Sequence, residues 1–232
     1  MKSIIAAASI AALAGAAHAN VLISEVLGST GGSDWEFIEL ANTGAAPVDI
    51  SGWAVELWDS DDTAGFGDAD GGSPYAVPGG TILNPGDVFT FGNSIAASNY
   101  GPALFDASLP ANAIENSSYT IVLADTLSVA MDAIFVTDGD AGDSANRAGV
   151  PIIPSLTVGP DGSFLPAGFY RTDTVGGFGL LNFSTPGFGD SPDDELNNGQ
   201  LNGGTPGVYQ IPTPGAAALL AVAGLAGIRR RR

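Results

Sequence analysis

Carboxylates are the side chains through which this chain could do chemistry, because the other reactive residue types are almost absent. It contains 25 Asp and Glu residues, no cysteine, a single histidine, His18, and a single lysine, Lys2. Both stand within the first 19 residues. Residues 20–232 therefore cannot form a Ser-His-Asp or Cys-His site, a zinc site of His or Cys ligands or a Schiff base. What remains is a carboxylate pair of the glycosidase type or a metal held by oxygen ligands.

Two short segments concentrate the aspartates. Residues 59–72 hold five in 14 residues, and residues 138–143 hold three in six. Aspartates that alternate with small residues offer the oxygen ligands that Ca²⁺ prefers, and glycine permits the turns that bring them together. Neither segment carries the closing glutamate of an EF-hand, so each is either a calcium site or an exposed acidic loop without metal. The candidate ligands are Asp59, Asp61, Asp68, Asp70, Asp138, Asp140 and Asp143.

Three strand glutamates, Glu25, Glu36 and Glu39, are the candidates for a carboxylate pair. Glu36 and Glu39 have opposite parity along one predicted strand, so they point to opposite faces and do not pair within it. We expect solvent-facing or backbone-bonded glutamates, and no catalytic or cofactor-binding residue is predicted.

The elements that must position these carboxylates are predicted to be strands. Helical periodicity is poor, whereas Gly, Pro, Asn and Asp separate short β-rich segments. Side chains alternate in several of them, as in Trp53, Val55 and Leu57, which is typical of sheets with one buried face. About 190 residues suffice for one all-β domain, and the pattern predicts a β-sandwich. The predicted strands are 21–26, 35–41, 53–58, 87–91, 119–123 and 133–136.

The same alternation predicts which side chains fill the space between the two sheets. A tryptophan of an early strand, with neighbouring apolar residues, should be buried there. The predicted core residues are Trp35 or Trp53, with Phe37, Leu40, Val55 and Leu57.

Three segments resemble a known family. VLISEV at 21–26, DWEFIELAN at 34–42 and PVDISGW at 47–53 occur in the order and at the short spacings of the opening of lamin-tail domains. The resemblance implies an immunoglobulin-like β-sandwich over residues 20–189 and a role in binding proteins or surfaces. Residues 59–78 and 137–170 look like enlarged loops. Looser matches to the family are the turn at 80–87, the hairpin at 119–136 and the closing Thr-Pro-Gly at 185–187.

The N-terminus has the layout of a signal peptide. A short positive segment is followed by an apolar stretch to Ala17, and Ala17-His18-Ala19 is a small-x-small cleavage site before Asn20. Export with removal of residues 1–19 is predicted.

The last residues form a predicted sorting tail. Pro212-Thr213-Pro214, the apolar run 215–228 and a terminal arginine cluster resemble a PEP-CTERM signal, in a Pro-Thr-Pro variant, of the kind that exosortases process. Its 14 apolar residues are short for a span of about 20 residues, and the arginines would stay on the cytoplasmic side. The alternative is an ordinary single-span anchor or a basic amphipathic tail. The predicted processing residues are Ala17, Ala19, Pro212, Thr213, Pro214, Arg229, Arg230, Arg231 and Arg232.

Between these ends the chain is strongly acidic. Two arginines, Arg147 and Arg171, stand against all 25 acidic residues, a formal charge of −23. Such a surface repels phosphate backbones, which excludes nucleic acid as a partner, and it keeps an exported protein soluble. Residues 190–211 are rich in Asp, Asn, Gly and Pro and are predicted to be a flexible linker.

These features together predict a non-enzymatic adhesion or scaffold module. It would be exported, held transiently at the inner membrane by its tail, and delivered to the cell surface or extracellular matrix of a Gram-negative-type bacterium. The expected partners are an exosortase-type enzyme and a surface protein or extracellular polysaccharide. The alternative is a secreted hydrolase that uses an oxygen-ligated metal or paired carboxylates. A cleft with two carboxyl groups about 5 to 10 Å apart favours the hydrolase, and acids scattered on loop tips favour the module.

Overall fold

The predicted all-β sandwich is confirmed. The computed structural model describes residues 21–28, 35–61, 73–115, 118–137, 139, 142–157, 168–174, 176–181 and 204–211. One sheet has six strands in the order β15 (Phe178–Leu180), β14 (Gly168–Arg171), β1 (Val21–Leu27), β2 (Phe37–Asn42), β7 (Val88–Gly92) and β8 (Ala107–Ser108). The other has five, in the order β13 (Leu156–Thr157), β10 (Ala130–Thr137), β9 (Tyr119–Ala124), β4 (Ala54–Asp59) and β5 (Tyr75–Ala76).

Smaller elements complete the described chain. Strand β3 (Val48–Asp49) pairs with β6 (Ile82–Leu83), and β11 (Asn146–Arg147) pairs with β12 (Val150–Pro151). Helix α1 (Ser94–Tyr100) begins at Asn93, whose side chain accepts hydrogen bonds from the first backbone N–H groups of the helix. None of the helices in these residues is long and apolar enough to cross a membrane.

The core between the sheets is built from alternate residues of the strands. Leu40, Trp53, Val55 and Leu57 lie in it, as predicted. Phe37 does not, because it has the opposite parity to Leu40 along β2. It belongs instead to a second apolar cluster with Leu27, Trp35 and Leu181, on the outer face of the six-stranded sheet.

The second cluster is covered by the segment that contains α1. The ring of Tyr100 packs edge-on against Phe37, with 5.6 Å between ring centroids, and Phe105 contacts the same ring at 6.3 Å. Aromatic pairs of this geometry add to the stabilisation that burial supplies. One end of the outer face is thus closed by aromatic side chains.

Residues 204–211, here named the strap, close the rest of this face. Gly204 lies against Phe37, so close that a Cβ there would come within 2.7 Å of Cζ of the ring, and Ile211 is buried. A turn with Gly207 at φ +84° is closed by a hydrogen bond of 3.0 Å from the Val208 N–H to the Thr205 carbonyl. The strap belongs to the segment 190–211 that is predicted to be a flexible linker, and its N–H groups find hydrogen-bond acceptors on the sheet.

The outer face of the five-stranded sheet is covered by residues 142–157. Val122 and Phe135, at outward positions of β9 and β10, are buried, and the backbone N–H and carbonyl of Phe135 are bonded to Ser155 of this segment. Its Arg147 reaches Glu56 on β4. Part of the predicted enlarged loop at 137–170 therefore acts as a cover for the sheet.

Candidate functional site

A polar row crosses the outer face of the six-stranded sheet. Tyr170, Glu25, Glu39 and Thr90 are successive cross-strand partners on β14, β1, β2 and β7. Directly opposed residues of antiparallel strands have Cβ atoms about 4.5 to 5.5 Å apart, so the two glutamates are immediate neighbours. Both are buried, with exposed fractions of 3% for Glu25 and 1% for Glu39.

A β-bulge in β1 creates this pair. Ile23 is the partner of Leu40, yet the next paired residue is Glu25, opposite Glu39, so Ser24 is an additional residue in the ladder. Without the bulge Glu25 would have the parity of Ile23 and would face the core between the sheets. The Ser24 hydroxyl donates a hydrogen bond of 2.8 Å to the Glu39 carboxylate.

The strap supplies the other donors for the two carboxylates. The backbone N–H of Thr205 lies 3.0 and 3.1 Å from the two carboxylate oxygens of Glu25, and the Thr205 hydroxyl lies 3.2 Å from one of them. The backbone N–H of Gly207 donates to Glu39 at 2.8 Å. Both glutamates are thus bound by backbone N–H groups of the turn in the strap.

Burial makes both carboxylates reluctant to ionise. The pKa of Glu25 is raised to about 8, first by desolvation and then by the neighbouring Glu39, while the Thr205 donors act in the opposite direction. The pKa of Glu39 is raised to about 7 by desolvation, against the donors from Ser24 and Gly207. The two groups titrate as a coupled pair, and near neutral pH the pair carries fewer than two charges.

Glu36 serves a different segment. Its carboxylate accepts hydrogen bonds from the backbone N–H groups of Ala113 and Ile114, at 2.8 and 3.1 Å. All three strand glutamates therefore bind backbone N–H groups, as we expected. Glu36 thereby fixes the segment at Ala113 and Ile114, and the other two glutamates fix the strap.

A cleft of about 580 Å³ opens beside the strap, between it and the turn that joins β6 to β7. Its volume is within the range of small-ligand sites. The exposed side chain of Ile82 and the ring of Tyr209 form apolar parts of its wall, and Asp87 and Asp106 supply carboxylates. The Tyr209 hydroxyl is buried and has no hydrogen-bond partner among the described residues.

The two aspartates of the cleft each use one oxygen to hold the backbone. Asp106 accepts from the Thr90 N–H at 2.9 Å, and Asp87 accepts from the Asn84 N–H at 2.9 Å. Each has a second carboxylate oxygen without a hydrogen bond to the described residues. Sequence reasoning missed this cleft, because its wall joins segments more than 100 residues apart.

The acidic loops predicted to bind calcium leave the same end of the five-stranded sheet. Strands β4 and β10 both pair antiparallel with β9, so both end beside its first residue. The Ser60 N–H donates to the Ser118 carbonyl and the Ser144 N–H to the Ser60 carbonyl, which joins the bases of the loops. In the part of the chain that the structure describes, no group of three or more acidic side chains could hold a metal ion.

The structure describes only three of the predicted ligands. Asp59 accepts a hydrogen bond from the Asp61 N–H at 2.9 Å, and the Asp143 carboxylate accepts from the hydroxyls of Ser118 and Thr137. The other predicted ligands, Asp68, Asp70, Asp138 and Asp140, lie outside the described residues, as do the predicted processing residues Ala17, Ala19, Pro212, Thr213, Pro214 and Arg229 to Arg232.

Comparison with known families identifies the family of the β-sandwich. The model of the family described as Lamin Tail Domain matches residues 14–141, more than half of the chain. The chain belongs to the lamin-tail domain family. The range matched to the lamin-tail domain contains both glutamates of the buried pair and both aspartates of the cleft. The strap lies beyond it.

Other comparisons add little to the lamin-tail assignment. No curated protein matches the chain. Among solved structures, the chain is similar to a DUF4876 family protein from Bacteroides thetaiotaomicron VPI-5482, with 13% sequence identity, a TM-score of 0.40, and coverage of 76% of this chain and 70% of that one.

Proposed function

We propose that this lamin-tail protein is an exported, non-enzymatic binding module that serves in adhesion or as a scaffold at the cell surface or in the extracellular matrix. The observation that carries the proposal is the cleft beside the strap. It is concave, it is built on paired strands, and it combines exposed apolar surface with unoccupied hydrogen-bond acceptors. Such a combination suits the recognition of a ligand.

The buried glutamates support binding over catalysis. Their pKa values are raised, and groups with shifted pKa values are frequent in active sites. Here, however, the strap covers them, and donors from Thr205, Gly207 and Ser24 occupy their oxygens. A substrate would have to displace the strap before it could reach either group.

The test of the binding function is a pull-down of surface protein and polymer from the native host with the full chain. Ile82→Ser, which removes 57%-exposed apolar surface from the cleft, should reduce capture. The matched control is Leu127→Ser, which removes an 80%-exposed leucine from the turn between β9 and β10. Capture that is equal for all three proteins would contradict a role for the cleft, and absence of any captured material would contradict the binding function.

A hydrolase is the second candidate function, and one observation favours it. Asp87 and Asp106 line the same cleft, and paired carboxylates are the machinery of glycoside hydrolysis. Incubation of the chain with polymer from the host surface should leave the length of the polymer unchanged. Depolymerisation that Asp106→Asn abolishes would establish the hydrolase and refute the binding module.

Export and tail processing are part of the proposal. They rest on the signal-peptide layout of residues 1–19 and the sorting-tail layout of residues 212–232. The protein recovered from the surface of the native host should begin at Asn20 and lack the four terminal arginines. Intact-mass measurement tests this, and chains that keep the arginines would indicate a plain anchor.

Calcium binding by the acidic loops is a further part of the proposal. It is supported by the ladder of β4, β9 and β10, which joins the bases of the two loops. A ligand at 100 times its dissociation constant adds about 2.7 kcal/mol of stability. The melting temperature should rise more in CaCl₂ than in NaCl or MgCl₂ of equal ionic strength, and Asp59→Asn with Asp61→Asn should remove the excess. Equal shifts in the three salts would indicate screening alone.

A further inference from the structure

We propose that the cleft beside the strap binds a neutral sugar unit of an extracellular polysaccharide. The inference rests on the proposed function as a binding module and names its ligand class and its site.

The lining of the cleft matches the two kinds of surface that a pyranose ring presents. A sugar ring has an apolar face of C–H groups and an edge of hydroxyl donors. The ring of Tyr209 and the exposed side chain of Ile82 offer apolar contact. The second carboxylate oxygens of Asp87 and Asp106 are acceptors for hydroxyl groups.

The volume of the cleft also fits a sugar unit. At about 580 Å³ it is open to solvent and large enough for one or two rings, whereas a folded protein segment would need a broader surface.

Charge decides which polysaccharides fit. The cleft contains two aspartates and no lysine or arginine among its described lining residues. The two arginines of the domain are engaged elsewhere, Arg147 with Glu56 and Arg171 with Asp132. A polymer of uronic acids or sulfated sugars would meet like charges with no cation to hold it, so the site selects a neutral sugar.

The buried glutamate pair positions one wall of this site. Gly207 and Tyr209 belong to the strap and line the cleft, and the Gly207 N–H is bound to Glu39. Gly207 has φ +84°, a conformation that residues with a Cβ rarely adopt. The turn at Gly207 therefore fixes the part of the strap that carries Tyr209, and Glu39 is a positioning residue for sugar binding.

The experiment measures binding of the full chain to protein-free polysaccharide from the surface of the native host, separated into neutral and acidic fractions by anion exchange. The neutral fraction should bind, with little change between low and high ionic strength, and the acidic fraction should not. Tyr209→Ala and Asp106→Asn should each weaken binding about tenfold. Asp173→Asn is the matched control, since Asp173 is also an aspartate that accepts a turn N–H and lies away from the cleft.

The positioning role has its own pair of variants. Gly207→Ala and Gly149→Ala introduce a Cβ at nearly the same φ, +84° and +83°, and Gly149 has no neighbouring atoms within 4 Å of that Cβ. Both should lower the melting temperature, and Gly207→Ala should lower it more, because its Cβ would lie 3.3 Å from Cδ2 of Leu104. Only Gly207→Ala should weaken sugar binding, and it should change the NMR signals of the Tyr209 ring. Equal sugar affinity in the two variants would overturn the positioning role.

The outcomes separate this inference from the proposed function. If surface proteins are captured but the neutral fraction does not bind, the sugar inference is overturned and the binding module stands. Binding that persists in Tyr209→Ala and Asp106→Asn overturns the assignment of the cleft. Salt-sensitive binding of a Lys-rich peptide, without binding of the neutral fraction, would show that the aspartates recognise a cation and would also overturn it.

Discussion

The two outer faces of the sandwich bury acidic side chains in different ways. On the five-stranded sheet, Glu56 is neutralised by a cation, Arg147, with 2.7 Å between Oε1 and Nη2. On the six-stranded sheet, Glu25 and Glu39 share one row beneath the strap, and backbone N–H groups and hydroxyls are their partners. The first arrangement depends on an ion pair. The second depends on the protonation of Glu25 and Glu39 and on hydrogen bonds from the strap.

Between its two terminal segments the chain has only two arginines, Arg147 and Arg171. The two arrangements show how both outer faces can still be covered. Where an arginine is present, the covering segment is held by an ion pair, which salt weakens. On the six-stranded sheet the partners of Glu25 and Glu39 are neutral donors. Desolvation therefore raises the pKa of both carboxyl groups, and each keeps its proton to a higher pH. The two faces should therefore respond to different solution conditions.

Loss of the shared core should have the largest effect, because both faces depend on it. Trp53 is 8% exposed and packs between the sheets. Trp53→Ala should lower the free energy of unfolding by about 3 to 5 kcal/mol. Denaturant unfolding of the full chain measures the change. A variant that melts within a few degrees of the parent would show that this residue is not part of the core.

A change of pH should separate the two faces. Glu25 and Glu39 have an ordinary value near 4.5, and in the folded state their pKa values are raised to about 8 and about 7. The folded state therefore binds more protons at these two groups, so their contribution to stability is fully present below about pH 4.5 and is lost as the pH rises through 7 and 8. Thermal melts between pH 6 and 9 at fixed ionic strength measure this, because the domain contains no histidine to titrate there.

Substitutions sharpen the pH comparison. Glu25→Gln and Glu39→Gln keep an acceptor for the strap and remove the charge, so each should flatten part of the pH dependence. Glu56→Gln, on the other face, should leave the slope between pH 6 and 9 unchanged. If all three variants keep the slope of the parent, the buried pair is not its source.

The ion pair of the five-stranded sheet should give the smallest effect. The side chains of Arg147 and Glu56 are 21% and 16% exposed, and pairs of this kind contribute about 0.5 to 1 kcal/mol. Arg147→Gln should cost about that much in low salt and less in 1 M NaCl. Arg147→Lys, which keeps the charge, should cost less than Arg147→Gln. A loss that is independent of salt would mean that packing of the Arg147 side chain dominates.

Alternation along strands allowed much of the fold to be predicted from the sequence. The shared face of Trp53, Val55 and Leu57 is predicted correctly, because β4 pairs with β9 without any irregularity. Phe37 was placed in the wrong layer, although its parity opposes that of Leu40, because large apolar residues were assumed to lie between the sheets. The outer face also buries aromatic side chains here, since α1 covers it.

The candidate site could not be predicted in the same way. The pairing of Glu25 with Glu39 depends on the bulge at Ser24, and no residue type in VLISEV marks an extra residue. The strap has the composition of a linker, and its hydrogen bonds to the two glutamates are made by backbone N–H groups, which any residue type offers. A signal was present in Thr205-Pro206-Gly207, a turn sequence, but its partners lie about 170 residues earlier.

The most direct test of this account is an NMR titration of the glutamate carboxyl carbons in the full chain, which has six glutamates. The signals of Glu25 and Glu39 should titrate with apparent pKa values of about 8 and about 7, and each should disappear in the corresponding glutamine variant. In Gly207→Ala both values should change, because the strap no longer donates in the same geometry. Titration of both Glu25 and Glu39 to completion below pH 6 would contradict a buried pair beneath the strap.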